Sequence, residues 1–288
     1  MTSNPPLWKA SVTLPKAEAP DVVALFELAP PTPQAVLIAE DPFGPDATVE
    51  ALYQPEPDVA LLSRLVGRTI DVELLPDEDW IRASQEGLPP VRAGRFFIYG
   101  VHDEGKVPPG PISLRIEAGL AFGTGHHETT ALCLLALSQV ARFLTPRAIL
   151  DLGCGTGVLA IAAAKLWRRP VLATDIDPVA IEVASGNARA NGAGPSVRFA
   201  VADGGIHPAI RESAPYDLIL ANILASPLTR LATGIAGVLA PGARLVLSGI
   251  LRNQENLILS YYRPQGLILE KSLRNGPWSA LVLRRPGR

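Results

Sequence analysis

Cysteine is nearly absent from this chain: 288 residues contain only Cys133 and Cys154. Two thiols cannot make a disulfide framework, and their scarcity fits a reducing compartment such as the cytoplasm. Long hydrophobic runs are missing as well. The composition is 48% hydrophobic, enough for a sizeable core, yet no apolar stretch reaches the ~18 residues of a membrane span. The opening, Met1-Thr-Ser-Asn-Pro-Pro-Leu7, has neither a basic flank nor an apolar segment, so no signal peptide is expected. Positive charge is scarce at the front. Residues 1–77 hold 4 Lys and Arg against 12 Asp and Glu, a net of −8, while the rest hold 22 against 16, a net of +6. That balance argues against nucleic acid as what the front segment holds, and for attraction to a basic partner. There is no internal repeat, no low-complexity segment and no Ser or Cys in a nucleophile signature.

What is present suggests two domains, as the length does. Residues 7–14 alternate as a strand. Residues 15–28 carry a helical face of Val22, Val23, Leu25, Phe26 and Leu28, ended by Pro30 and Pro31. Residues 35–38 and 48–53 read as strands, 56–66 as an amphipathic helix closed by Gly67, and 69–75 as a final strand. The order β-α-β-β-α-β predicts a small α+β domain of the ferredoxin-like kind over 1–77. An acidic, proline-containing linker with Trp80 follows over 78–90, and a second domain is expected over 91–288. Two strands, 95–101 and 112–116, open that domain across a Pro/Gly turn.

Its centre is Ile149-Leu-Asp-Leu-Gly153-Cys-Gly155-Thr-Gly157-Val-Leu-Ala-Ile161. An apolar run breaks at three glycines and resumes as helix formers. Strand, glycine turn and helix is how a doubly wound sheet opens a nucleotide site, with backbone and a helix N-terminus facing the ligand. Asp175 lies 22 positions after Gly153, at the tip of the next predicted strand, where a carboxylate accepts from ribose hydroxyls. A dinucleotide fingerprint needs a small residue at 158, and Val158 disfavours it. The spacing Asp-x-Gly-x-Gly-x-Gly instead resembles motif I of the class I S-adenosylmethionine (SAM) methyltransferases. Later segments alternate strand and helix: 178–191 helix, 197–201 strand ended by Asp203, 216–221 strand ended by Asn222, 228–239 helix, Pro241-Gly-Ala turn, 244–247 strand, 251–262 helix and a hairpin over 266–283. A mostly parallel sheet with helices on both faces is expected.

The loop Gly119-Leu-Ala-Phe122-Gly123-Thr-Gly125-His126-His127-Glu-Thr129-Thr130 allows three readings. A metal site is disfavoured because adjacent histidines rarely address one ion. A nucleophile–base set lacks its partner. The third is a glycine-hinged lid, with Thr129 or Thr130 capping a helix near 129 and Thr130 placed over the ligand.

These motifs, with Leu220-Ala-Asn222-Ile-Leu-Ala and Leu247-Ser-Gly-Ile-Leu251, resemble the PrmA family over roughly 78–288. Its members are bacterial methyltransferases of large-subunit ribosomal protein eleven. Gln85 stands where the family commonly has lysine. The resemblance implies SAM contacts at Thr130, Gly153, Asp175 and Asn222. Gly155, Phe122 and Asp203, the last toward the adenine amine, complete the expected cofactor set. It implies a ribosomal protein as substrate, methylated on lysine ε-amines and the N-terminal α-amine. Asn222 is the expected catalytic residue, its amide oxygen orienting the amine, unless it caps the helix that follows. No metal, nucleic-acid or membrane partner is expected, and the enzyme is expected to be a cytoplasmic monomer. The competing readings are a methyltransferase of another protein or of a small-molecule amine, an oxidoreductase, and a non-catalytic binding module. An Asn-Pro-Pro-Tyr sequence after the fourth strand would favour glutamine, and this chain has Asn222-Ile-Leu-Ala.

Overall fold

The structure, a computed structural model, describes residues 7–31, 33, 35–40, 44–75, 90–116, 127–204 and 207–287. The chain divides into two compact units, Met1–Gly87 and Leu88–Arg288.

The first unit follows β1 (Leu7–Pro15), α1 (Ala19–Leu28), β2 (Ala35–Glu40), β3 (Asp46–Tyr53), α2 (Val59–Val66) and β4 (Asp71–Leu75). Its sheet is antiparallel throughout, in the order β2-β3-β1-β4. Alternation along β3 sends Val49, Ala51 and Tyr53 into a core with Phe26 and Leu62. Helix α2 starts at 59 rather than 56 because Asp58 caps it, accepting from the Leu61 N–H at 3.0 Å.

The second unit opens with β5 (Val91–Ala93), β6 (Phe96–Tyr99) and β7 (Ile112–Arg115). The two expected strands pair in parallel, joined by a 3-10 segment at Val101–Lys106 and the Pro/Gly bend that follows it. There follow α3 (His127–Val140), β8 (Ile149–Leu152), α4 (Val158–Trp167), β9 (Val171–Asp175), α5 (Pro178–Ala190) and β10 (Val197–Val201). Next come α6 (Pro208–Arg211), β11 (Tyr216–Asn222), α7 (Ala225–Val238), β12 (Leu239–Leu251), α8 (Glu255–Tyr262), β13 (Ile268–Asn275) and β14 (Trp278–Arg284). The seven strands run β10-β9-β8-β11-β12-β14-β13. The first five are parallel, and the closing hairpin is antiparallel. This is a mixed α/β unit built on a large, mostly parallel sheet. The order reverses between β8 and β11, which opens a crevice at their carboxyl ends.

Helix α4 has almost no polar face. Val158 to Ala164 are all buried, because the helix shares one core with the large sheet and with Phe96 and Leu114 of the small one. The small sheet is stitched down by side chains. Asn191 accepts from the Arg115 N–H at 2.9 Å and donates to its carbonyl at 2.6 Å, standing in for a neighbouring strand. Lys165 donates to the Ser113 carbonyl at 2.7 Å.

Two local expectations are corrected. The Pro241-Gly-Ala segment is not a turn between elements but lies inside β12. The register with β11 jumps there from Tyr216↔Leu239 to Leu218↔Arg244. The excess residues loop out where proline has no N–H to give the ladder. Helix α3 begins at His127, so Thr129 and Thr130 are first-turn residues, both buried, and neither is its cap.

Candidate functional site

The turn from β8 into α4 is the centre of the crevice. Gly153, Gly155 and Gly157 hold φ of 68°, 52° and 79°, a region L side chains rarely enter. The Gly153 and Cys154 N–H groups donate to the Thr174 carbonyl on β9 at 2.8 and 2.9 Å. A Cβ at Gly153 would run into Cγ2 of Ile223, so β11's exit packs directly on the turn. A Cβ at Gly155 would meet nothing within 4 Å. The backbone there is bare, as close approach by a ligand requires.

Asp175 ends β9 and is held upright by its own surroundings. One carboxylate oxygen accepts from the Gly155 N–H at 2.8 Å and the other from the Asp177 N–H at 3.1 Å. A carboxylate has about four acceptor positions, so lone pairs remain for a ligand's hydroxyls. Asp203 lies exposed just past β10, beside the Asp175 strand.

Asn222 is the last residue of β11. Its amide nitrogen donates to the Thr130 hydroxyl on α3 at 3.3 Å. It does not cap α7, whose cap position is Leu224 with no side-chain bond. The amide oxygen is buried and has no partner among the described residues. Such an acceptor costs about 1–3 kcal/mol if left alone, so its place in the crevice suits a donor brought by a ligand.

Sequence reading left out Asp151, the acid of the Asp-x-Gly motif itself. It is buried on β8; one oxygen accepts from the Ala160 N–H at 2.8 Å, and the other has no partner among the described residues. Burial, reinforced by the charge of Asp175 and opposed by the Ala160 bond, pushes its pKa up to about 7. The Thr156 and Thr174 hydroxyls are likewise buried without partners, so four oxygens with unmet bonding capacity ring this turn. The Cys154 thiol is pushed well above its ordinary range by burial and stays neutral, so it is no nucleophile.

The structure therefore brings Thr130, Gly153, Gly155, Asp175 and Asn222 to one end of the sheet, with Asp203 at its rim. Phe122, Gly123, Gly125 and His126, on which the lid reading rests, lie outside the described residues, as do Trp80 and most of the expected linker.

A family model described as "Ribosomal protein L11 methyltransferase (PrmA)" matches residues 40–286. A ribosomal protein L11 methyltransferase of Brucella suis (strain ATCC 23445 / NCTC 10510) is 50% identical over 226 residues, 78% of this chain and 79% of the relative. One from Bradyrhizobium diazoefficiens is 45% identical over 265 residues, 85% and 90% of the two chains. The crystal structure of a ribosomal protein L11 methylase from Lactobacillus delbrueckii subsp. bulgaricus superposes with a TM-score of 0.60 at 28% identity, covering 69% of this chain and 100% of that one.

Proposed function

This chain belongs to the ribosomal protein L11 methyltransferase (PrmA) family, and from that premise we propose that it methylates L11 on lysine ε-amines and on the N-terminal α-amine, with SAM as donor. The observation that carries the reading is the buried amide oxygen of Asn222, which has no partner among the described residues, set beside the bare backbone of Gly155.

The residues suit SAM. Asp175 has acceptor capacity for ribose hydroxyls, the backbone at Gly155 lies open to the ligand, and Thr130 and Asn222 close the side toward α3. Asp203, exposed just past β10, is assigned to the adenine amine, and Phe122, which precedes α3 in the sequence, to the cofactor as well. SAM supplies an electrophilic methyl on sulfur. The protein's part is to orient the acceptor amine and keep water away. Asn222 Oδ1 accepts from the amine and so holds its lone pair toward the methyl. Deprotonating a lysine at pH 7 costs roughly 4–5 kcal/mol. An apolar pocket around the acceptor amine disfavours the ammonium and so reduces that cost.

Residues 1–77 serve as the substrate-recognition domain, 78–90 as a linker and 91–288 as the methyltransferase domain. The antiparallel order β2-β3-β1-β4 and the β-α-β-β-α-β sequence support a ferredoxin-like front domain. Its net −8 supports attraction to a basic protein. A ribosomal protein substrate supports cytoplasmic action, and nothing in the scheme requires a second copy, a nucleic acid, a membrane or a metal.

Intact-mass measurement of L11 after incubation with SAM and this enzyme tests the reading. Addition of whole methyl groups, mapped by fragmentation to lysine side chains and the N-terminal amine, is the expected result; no mass gain would overturn it. Calorimetry should show SAM binding that Asp175→Ala weakens by about 1.5–3 kcal/mol through loss of charged acceptors.

A further inference from the structure

The segment Leu247-Ser-Gly-Ile-Leu251 has no role in the site described so far, yet it lies directly beside Asn222. In the parallel pairing of β11 with β12, Ser248 is the register partner of Asn222. On its other side β12 pairs with β14, and there the register slips: Leu247 faces Leu281, and Ile250 faces Ser279. Three steps on one strand oppose two on the other, so the extra residue is a β-bulge at Ser248–Gly249, with Gly249 at φ 79°.

Both bulge residues press on the catalytic side of the sheet. A Cβ at Gly249 would lie 2.5 Å from the carbonyl oxygen of Ile223, 2.8 Å from its carbonyl carbon and 3.0 Å from its nitrogen. These are backbone atoms that cannot swing aside. The peptide following Asn222 therefore rests on Gly249, while the Ile223 side chain covers Gly153. Ser248 is fully buried. Its one hydroxyl proton goes to the Ser279 carbonyl at 3.0 Å, which ties the bulge to β14, with the Thr129 carbonyl a longer, secondary acceptor at 3.4 Å. That second contact seats the first turn of α3, one residue before the threonine that accepts from Asn222.

We infer that the Ser248–Gly249 bulge is the positioning element of the active site, setting the Asn222 amide from two directions. Gly249 fixes the backbone that carries it, and Ser248 fixes the helix turn that binds its nitrogen. Neither residue needs to touch the cofactor or the substrate. The inference rests on Asn222 contacting SAM, as proposed above.

A double-mutant cycle on SAM affinity, read by calorimetry in the full-length protein, tests it. Gly249→Ala should weaken SAM binding about tenfold in the wild-type background, ~1.4 kcal/mol. In an Asn222→Ala background the same change should cost less than about twofold, because the group it displaces is gone. Any loss of thermal stability should be equal in both backgrounds. If Gly249→Ala does not fold, Ser248→Ala, which removes a single oxygen, carries the same cycle, with a loss of about threefold or more confined to the wild-type background. Equal losses in both backgrounds, or no loss at all, would overturn the inference while leaving the site intact. Asn222→Ala binding SAM as tightly as the wild type would overturn the SAM contact of Asn222 and this inference with it, and leave its contact to the acceptor amine untouched.

Discussion

At the scale of single residues, Asp151 has an unusual combination of burial and half-met bonding. Among the described residues its carboxyl has one donor, from Ala160, and burial raises its pKa from an ordinary 3.8 to about 7. The folded state then binds a proton that the unfolded state has released. Stability from this group is complete below pH ~4, falls as pH rises through about 7, and is level above that. The expected size is on the order of a few kcal/mol. The urea midpoint of the ligand-free enzyme should therefore drop between about pH 5 and pH 7.5, and Asp151→Asn should flatten the drop. An equal slope in the variant would show that Asp151 is ionised in the fold. The Asn222 oxygen differs in kind: it is neutral, has no proton to adjust, and has no donor among the described residues.

Among the elements, β7 depends on its neighbours more than its four residues suggest. A strand this short makes few ladder bonds, and its outer edge is occupied by Asn191 from the end of α5 and Lys165 from α4. Asn191→Ala would remove the amide that bonds both the N–H and the carbonyl of Arg115. It should cost about 1–3 kcal/mol in denaturant unfolding, with faster hydrogen exchange at the Arg115 amide. An unchanged midpoint would mean that water replaces the amide without penalty. On the far side of the sheet, Glu255 opens α8 and is gripped by both arms of Arg274, at 2.7 Å each, and by the Ser279 hydroxyl at 2.6 Å. The Arg274 bonds hold its carboxyl below the usual carboxylate range, so it stays ionised although buried. That anchor steadies β14, the strand to which the Ser248 bulge is tied.

For the whole molecule, the uneven charge and the two compact units suggest a division of labour between recruitment and chemistry. Deleting residues 1–77 should spare SAM binding, since every candidate cofactor contact lies beyond them, yet abolish methylation of intact L11. Full activity in the truncated enzyme would rule out recruitment by the front domain. Because an acidic surface attracts through a screened field, rising salt should raise KM for L11 more than it lowers kcat.

Much of this was legible in the order of residues. Strand alternation, the helix stop at Gly67 and the turn from Gly153 to Asp175 are local properties: periodicity, allowed φ and a fixed number of positions between two strand ends. Periodicity placed the strands of the large sheet to within a few residues, except where β12 absorbed its Pro241-Gly-Ala segment. Tertiary structure decided the rest. Asn222 and Thr130 meet across 92 positions, and Asn222 is no cap because the helix after it is capped at Leu224. Asp151 reads in sequence as one more strand residue, because hydrogen-bond satisfaction belongs to the surroundings of an atom rather than to its neighbours in the chain. The Ser248–Gly249 bulge is invisible in β12 alone, since a bulge exists only relative to the register of the strands paired on either side.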